Sequence, residues 1–230
     1  MQAYTPIHIG NMSTNFHDLK LGHVIAIARL PEKRHEQKIS EFLKATLNDN
    51  ILPYRLYAQQ RHYLMMKYQQ LQQGTFNFNV DFEKYEKNGT WLEEIEINGY
   101  TFRQLNGFEC EALEIYAKDY LDWFFGAMAL QVSNKDIVKI EPCSDTEFAK
   151  RIIENRVSQI NDLVLESGEL ILASFAMANE KLNHLIDLSF DDEGIVCTQG
   201  GTDDAPCRFR PLSTIPESIK NLLGGLSTKS

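Results

Sequence analysis

The sequence predicts an α+β protein, mainly helical, with a central antiparallel β-hairpin region and a small C-terminal hairpin. Three observations carry this. Apolar residues recur at helical spacing before residue 75 and again from Phe108 onward. Between these regions Phe76, Phe78 and Val80 alternate with Asn77 and Asn79, and two more alternating runs flank Asn98-Gly99. Near the end, Gly194–Cys197 and Cys207–Pro211 read as short strands around a polar loop, Gln199–Pro206. The 230 residues are 43% hydrophobic and 24% charged, enough for a substantial core without disulfide staples. That profile excludes a disordered, collagenous or membrane-embedded chain.

Met1–Asn15 has no clear period and reads as an extended arm that orders on a partner. Leu19–Leu30 reads as a helix. Pro31 opens a second one, where its missing N–H costs little. Ile39, Phe42, Leu43 and Leu47 form the apolar face of that helix, Glu32 suits its first turn, and Lys33, Arg34, Lys38 and Lys44 make the other face basic. Leu52-Pro53 breaks the chain. A third helix spans Tyr57–Gln73, with Leu56, Tyr63, Leu64, Tyr68 and Leu71 as its stripe and Gly74 at its end.

Trp91–Ile97 and Tyr100–Leu105 flank Asn-Gly, the strongest short hairpin signal. With Asn98 and Gly99 as the loop, Ile97 faces Tyr100 and Ile95 faces Phe102. Glu94 then faces Arg103 as an ion pair on the other side. Helices are expected at Phe108–Lys118 and Tyr120–Val132, and a short strand at Ile137–Ile140. Ser144 and Glu147 form a capping box for a helix that buries Phe148, Ile152, Ile153, Val157, Ile160 and Val164. Ser167-Gly168 interrupts it. A last long helix runs to Leu188, and Ile171, Phe175, Ala178, Leu182 and Leu185 have the spacing of a helix packed on another helix. Asp191–Gly194 reads as a turn and Pro216–Leu223 as a short helix.

The net charge of −9 conceals a split. Residues 1–80 hold nine Lys/Arg and five Asp/Glu, a net of +4; residues 81–230 carry −13. The sign changes close to Thr75. The chain therefore divides into 1–75, an N-terminal arm plus a basic three-helix unit, and 76–230, an acidic body of hairpin and helices. Gly74-Thr75 is no real linker, so one continuous domain is the other option. Overall acidity argues against nucleic-acid binding by the whole surface. No apolar stretch approaches the roughly 20 residues of a membrane span, and the N-terminus has no secretory pattern. A soluble, intracellular chain with reduced cysteines is expected.

The sequence lacks the P-loop, GxGxxG, HExxH, GxSxG and EF-hand patterns. Three weaker constellations remain. Tyr54–Tyr68 interleaves aromatics with Arg55, Arg61 and Lys67, which can track a single nucleic-acid strand, or can be a helix with tyrosines packed inward and cations in water. Glu109, Glu111 and Glu114 can do acid–base or metal chemistry, but read first as a solvated acidic face. Cys197, Cys207 and His184 could converge on zinc, although their spacing fits no standard site.

Leu52-Pro53-Tyr54-Arg55-Leu56-Tyr57-Ala58-Gln59-Gln60-Arg61-His62-Tyr63-Leu64, preceded by Leu21-Gly22-His23-Val24-Ile25-Ala26-Ile27-Ala28-Arg29-Leu30-Pro31-Glu32, resembles the opening regions of tail and baseplate-hub assembly proteins of long-tailed bacteriophages. The resemblance covers residues 19–73 and the layout of a helical unit followed by β-structure. It implies a place in the virion tail, or in the host cytoplasm during assembly, with other virion or assembly proteins as partners. Some such proteins carry a Cys-x-x-Cys hairpin near the C-terminus; the wide Cys197–Cys207 spacing departs from it.

The expectation is a non-enzymatic structural or assembly protein without cofactor or metal. It docks through Arg29, Lys33, Arg34, Lys38, Arg55 and Arg61, has no membrane partner, and leaves room for a homo-oligomer. A zinc-stabilised module or metal-dependent enzyme, and a single-strand nucleic-acid binder, are the alternatives.

Overall fold

The computed structural model describes residues 6–9, 12–73, 80–199, 206–215 and 219. It is α+β and mainly helical, with three small antiparallel sheets among the described residues. The first third holds β1 (Ile7–Ile9), β2 (Met12–Thr14), α1 (Leu21–Arg29), α2 (His35–Leu47), the single turn α3 (Leu52–Arg55) and α4 (Ala58–Leu71). A 3₁₀ turn at Phe82–Tyr85 leads to β3 (Glu94–Ile97) and β4 (Tyr100–Arg103). Then come α5 (Gly107–Tyr116), α6 (Tyr120–Gln131), β5 (Val132–Ser133), α7 (Thr146–Asn161), α8 (Leu165–Leu182), β6 (Asp187–Asp191) and β7 (Gly194–Thr198).

The apolar residues gather into two cores. In one, α5, α6, α7 and α8 close around the β3–β4–β5 sheet, with Phe102, Leu113, Met128, Ile153 and Phe175 at its centre. In the other, α1, α2 and α4 pack with the N-terminal strands, and the chain's later segments return to them through Tyr85, Ile186, Cys197 and Phe209. The expected boundary at Thr75, and the strand expected at Thr75–Val80, fall on 74–79, outside the described residues save Val80. Most of the expected Pro216–Leu223 helix also lies outside them.

The central hairpin has the expected register: Ile97 opposite Tyr100, Ile95 opposite Phe102, Glu94 opposite Arg103. Asn98 and Gly99 both take positive φ, 52° and 80°, which a two-residue turn of this hand requires. The expected Glu94–Arg103 ion pair does not form. Arg103 turns inward to Glu109, and Glu94 pairs with Lys139 at 2.6 Å.

Other expectations are corrected by tertiary contacts. Within the supposed arm β1 pairs with β2, and Ile9, with Phe16 just beyond, is buried in the chain's own core, while residues 1–5, 10 and 11 lie outside the described residues. The second helix starts at His35, not Pro31, because a carboxylate from α5 caps it there. Ile137–Ile140 is not a strand; β5 takes the place beside β4. Asp145, not Ser144, caps α7 by accepting from the Phe148 N–H. The break between α7 and α8 falls at 162–164, and α8 runs straight through Gly168. It ends at Leu182, and residues 187–191 form β6. Its inner face of Ile171, Phe175, Ala178 and Leu182 packs on the β3–β4 hairpin, with Phe175 against Phe102 and Phe124, rather than on a helix of matching stripe.

Candidate functional site

Polar residues that share the phase of the apolar stripes build a sealed network between the two cores. On α2, Glu36 and Ser40 lie on the same face as Ile39 and Leu43. On α4, Arg61 lies in line with Leu64, Met65 and Tyr68. All are buried, and Arg61 has no exposed surface at all. An Arg without water must find its partners in the protein. Arg61 Nη2 donates to Glu36 Oε2 at 3.1 Å and to the Glu36 carbonyl at 2.9 Å. Its Nη1 donates to the Pro53 carbonyl at 2.7 Å, and both Nη atoms reach the Ser40 hydroxyl at 3.1 Å. Glu36 Oε1 takes a second bond from His62 Nε2 at 2.9 Å. Burial works against the Glu36 charge, but His62 and then Arg61 hold its carboxyl down to about 2.

α5 closes the network from the other core. The Ser40 hydroxyl donates to a Glu111 carboxylate oxygen. Glu114 accepts from the backbone N–H groups of Glu36 at 2.7 Å and Gln37 at 3.3 Å, and Arg34 donates to the Glu114 carbonyl at 2.9 Å. Glu114 thus supplies the N-terminal cap that α2 lacks in its own sequence, where Arg34 makes no capping side-chain bond. The geometry is favourable for an anion, yet burial and then the nearby Glu36 charge push Glu114 up to about 8 against its two N–H bonds. Burial also raises Glu111, against its Ser40 bond and Arg61. Gly107 makes the crossing possible: a Cβ there would lie 2.5 Å from both Arg61 Nη1 and the Pro53 carbonyl oxygen.

A second buried pair sits wholly in the other core. Arg103 and Glu109 bind through two parallel bonds of 2.9 and 2.6 Å. Glu109 also accepts from the N–H groups of Asn106 and Cys143, both at 2.9 Å, and Arg103 Nε donates to the Ile140 carbonyl at 2.9 Å. The expectation of a solvated Glu109–Glu111–Glu114 face is therefore overturned. All three carboxylates point inward and hold elements together.

The docking candidates divide. Arg29, Lys33 and Arg55 are exposed. Arg34 is half-buried and occupied by Glu114, Lys38 is buried with its Nζ on the Glu32 carbonyl at 2.9 Å, and Arg61 is sealed in. The Tyr54–Tyr68 stretch offers no open track for a nucleic-acid strand, because Arg61 and Tyr68 lie in the interior. Among the described residues no group of three or more His, Cys, Asp or Glu could hold a metal ion. His184 stands edge-on to Trp91, with ring centroids 4.3 Å apart, and its backbone N–H donates to Gln59. Cys197 in β7 and Cys207 face each other across an isolated antiparallel bridge.

One surface feature was not read from the sequence. α8 is apolar on its outer face as well as its inner one. Leu170, Ala173, Ala176 and Met177 are exposed along it, and Val164 and Leu165 at its start are 71% and 79% exposed. Glu166, Glu169 and Glu180 flank the stripe, all exposed. The signal was present: positions 170, 173 and 177 repeat at helical spacing, out of phase with 171, 175, 178 and 182. A cavity of about 140 Å³ opens beside the inner side of the same helix. Gln59, Gln104, Gln131 and Asn183 line it, and each donates to a main-chain carbonyl. No family model, curated protein or solved structure matches the chain.

Proposed function

We propose that this protein is a non-enzymatic structural or assembly component that acts by docking to other proteins, in the tail or baseplate of a long-tailed bacteriophage. The observation that carries docking is the outer face of α8. Apolar side chains left in water on the outer face of this helix cost hydration free energy, and a partner surface relieves it. The carboxylates along the stripe favour a partner that brings cations, and complementary charge sets orientation and speeds encounter. Exposed Arg29, Lys33 and Arg55 offer a second, basic contact. The phage setting is supported by the resemblance of residues 19–73. Among the described residues no helix is long and apolar enough to cross a membrane.

Mass spectrometry of purified particles and assembly intermediates tests this reading. The protein is expected in one or both, and the double variant Leu170→Glu, Met177→Glu is expected to fold normally yet be left out. Absence of the wild-type protein from both, or undiminished incorporation of the variant, contradicts it.

A further inference from the structure

Cys197 in β7 and Cys207 form a single antiparallel bridge. The Cys197 N–H donates to the Cys207 carbonyl at 2.9 Å, and the Cys207 N–H donates back at 2.8 Å. Two residues that exchange both bonds stand directly opposite each other, with Cα atoms about 5.5 Å apart and side chains on one face of the ladder. That separation lies inside the roughly 4.4–6.8 Å of Cα spacing that a disulfide spans, and the Cβ atoms, about 5.5 Å apart in a hydrogen-bonded pair, close by about 1 Å to form the bond. Both side chains enter the same apolar cluster, with Cys197 fully buried and Cys207 half-buried, and both thiols are free. Among the described residues Cys110 and Cys143 make no such bridge.

We propose that Cys197 and Cys207 are a redox staple: a dithiol that closes to an intrachain disulfide when it meets a small disulfide oxidant such as oxidised glutathione. Cys207, the more accessible, loses its proton and attacks one glutathione sulfur. The glutathione S–S bond breaks, one glutathione thiolate leaves, and a mixed disulfide remains on Cys207. Cys197 then loses its proton and attacks the Cys207 sulfur, expelling the second glutathione thiolate. Two protein thiols are oxidised, one glutathione disulfide is reduced, and the two released protons end on the two glutathione thiols. Burial raises both protein thiols above their ordinary range, so closure is slow at neutral pH and quickens as pH rises.

The staple acts on a segment that closes the second core. Residues 206–215 bring Phe209 and Ile215 into the interior, and Gln69 on α4 holds the Arg210 carbonyl at 2.9 Å. Arg208 and Arg210 pair with Asp191 and Glu193 at the β6–β7 turn. A covalent tie to β7 fixes this segment in place and restricts the unfolded chain.

The test incubates the full chain with oxidised glutathione at pH 8.5, blocks remaining thiols, and maps cysteines by mass spectrometry of an unreduced digest. A linked Cys197–Cys207 peptide pair, two hydrogens lighter, is expected, with a midpoint of thermal unfolding raised by roughly 5–10 °C and restored by dithiothreitol. Cys207→Ser removes both signals. Should that variant fail to fold, the wild-type peptide map alone decides. Both thiols still open to alkylation after prolonged incubation overturn the proposal. So does glutathione retained on Cys207, or pairing with Cys110 or Cys143.

Discussion

The two buried Arg–Glu pairs use the same chemistry for different ends. Arg103 and Glu109 are six residues apart and complete each other: a bidentate pair whose spare positions are filled by the Asn106 and Cys143 N–H groups and the Ile140 carbonyl. This pair fixes how one strand enters one helix. Arg61 and Glu36 are 25 residues apart, on different helices, and share their site with His62, Ser40, Glu111 and Glu114. Three carboxylates there face one fully buried guanidinium, and two of them, Glu111 and Glu114, come from the opposite core. The first pair is a local lock. The second is a seam, and its surplus of carboxylates makes it sensitive to protons.

Removing the cation from each site separates these roles most sharply. Arg61→Met leaves Glu36 only its His62 bond, beside two more carboxylates, and is expected to cost about 3–5 kcal/mol, read as a shift of the urea unfolding midpoint. Arg103→Met leaves Glu109 its two backbone N–H bonds and is expected to cost less, about 2–3 kcal/mol. Equal losses would erase the distinction. Gly107→Ala tests the seam by shape alone. Its methyl meets the Pro53 carbonyl and Arg61, and about 1–3 kcal/mol is expected, again from urea unfolding. Leu170→Glu on the outer face of α8 touches neither site and is expected to change stability by less than about 0.5 kcal/mol. A large loss there would show that this face is part of the fold.

The local lock was partly legible in the sequence. Asn98-Gly99 set the hairpin register, because a two-residue turn admits few alternatives. The Glu94–Arg103 pairing failed because opposite positions on a strand do not compete well with a fully buried bidentate partner on the next helix. In the seam, Glu36 and Arg61 fell on the apolar stripes of their helices, yet their partners lie on α5, and no local pattern names a contact 71 to 78 residues away. The change of charge sign near Thr75 did not say where the two parts meet; α5 reaches the start of α2 inside the molecule. The start of α2 and the end of α8 were misplaced for the same kind of reason, since one is set by a carboxylate from α5 and the other by the pairing of β6 with β7.

The central claim is that Glu114 caps α2 within a seam crowded with carboxylates. Its folded-state carboxyl is raised to about 8 from an ordinary 4.5, so the folded protein holds a proton that the unfolded chain releases. The stability tied to that proton is fully present below about pH 4.5 and is lost as pH rises through about 8. Glu36 acts in the opposite sense, and its contribution is lost only as pH falls through about 2. The direct measurement is urea unfolding of the wild type and Glu114→Gln from pH 5 to pH 9. A wild type that loses stability steadily across this range, beside a variant with a much flatter profile, is the predicted result. Parallel profiles for the two proteins would contradict it.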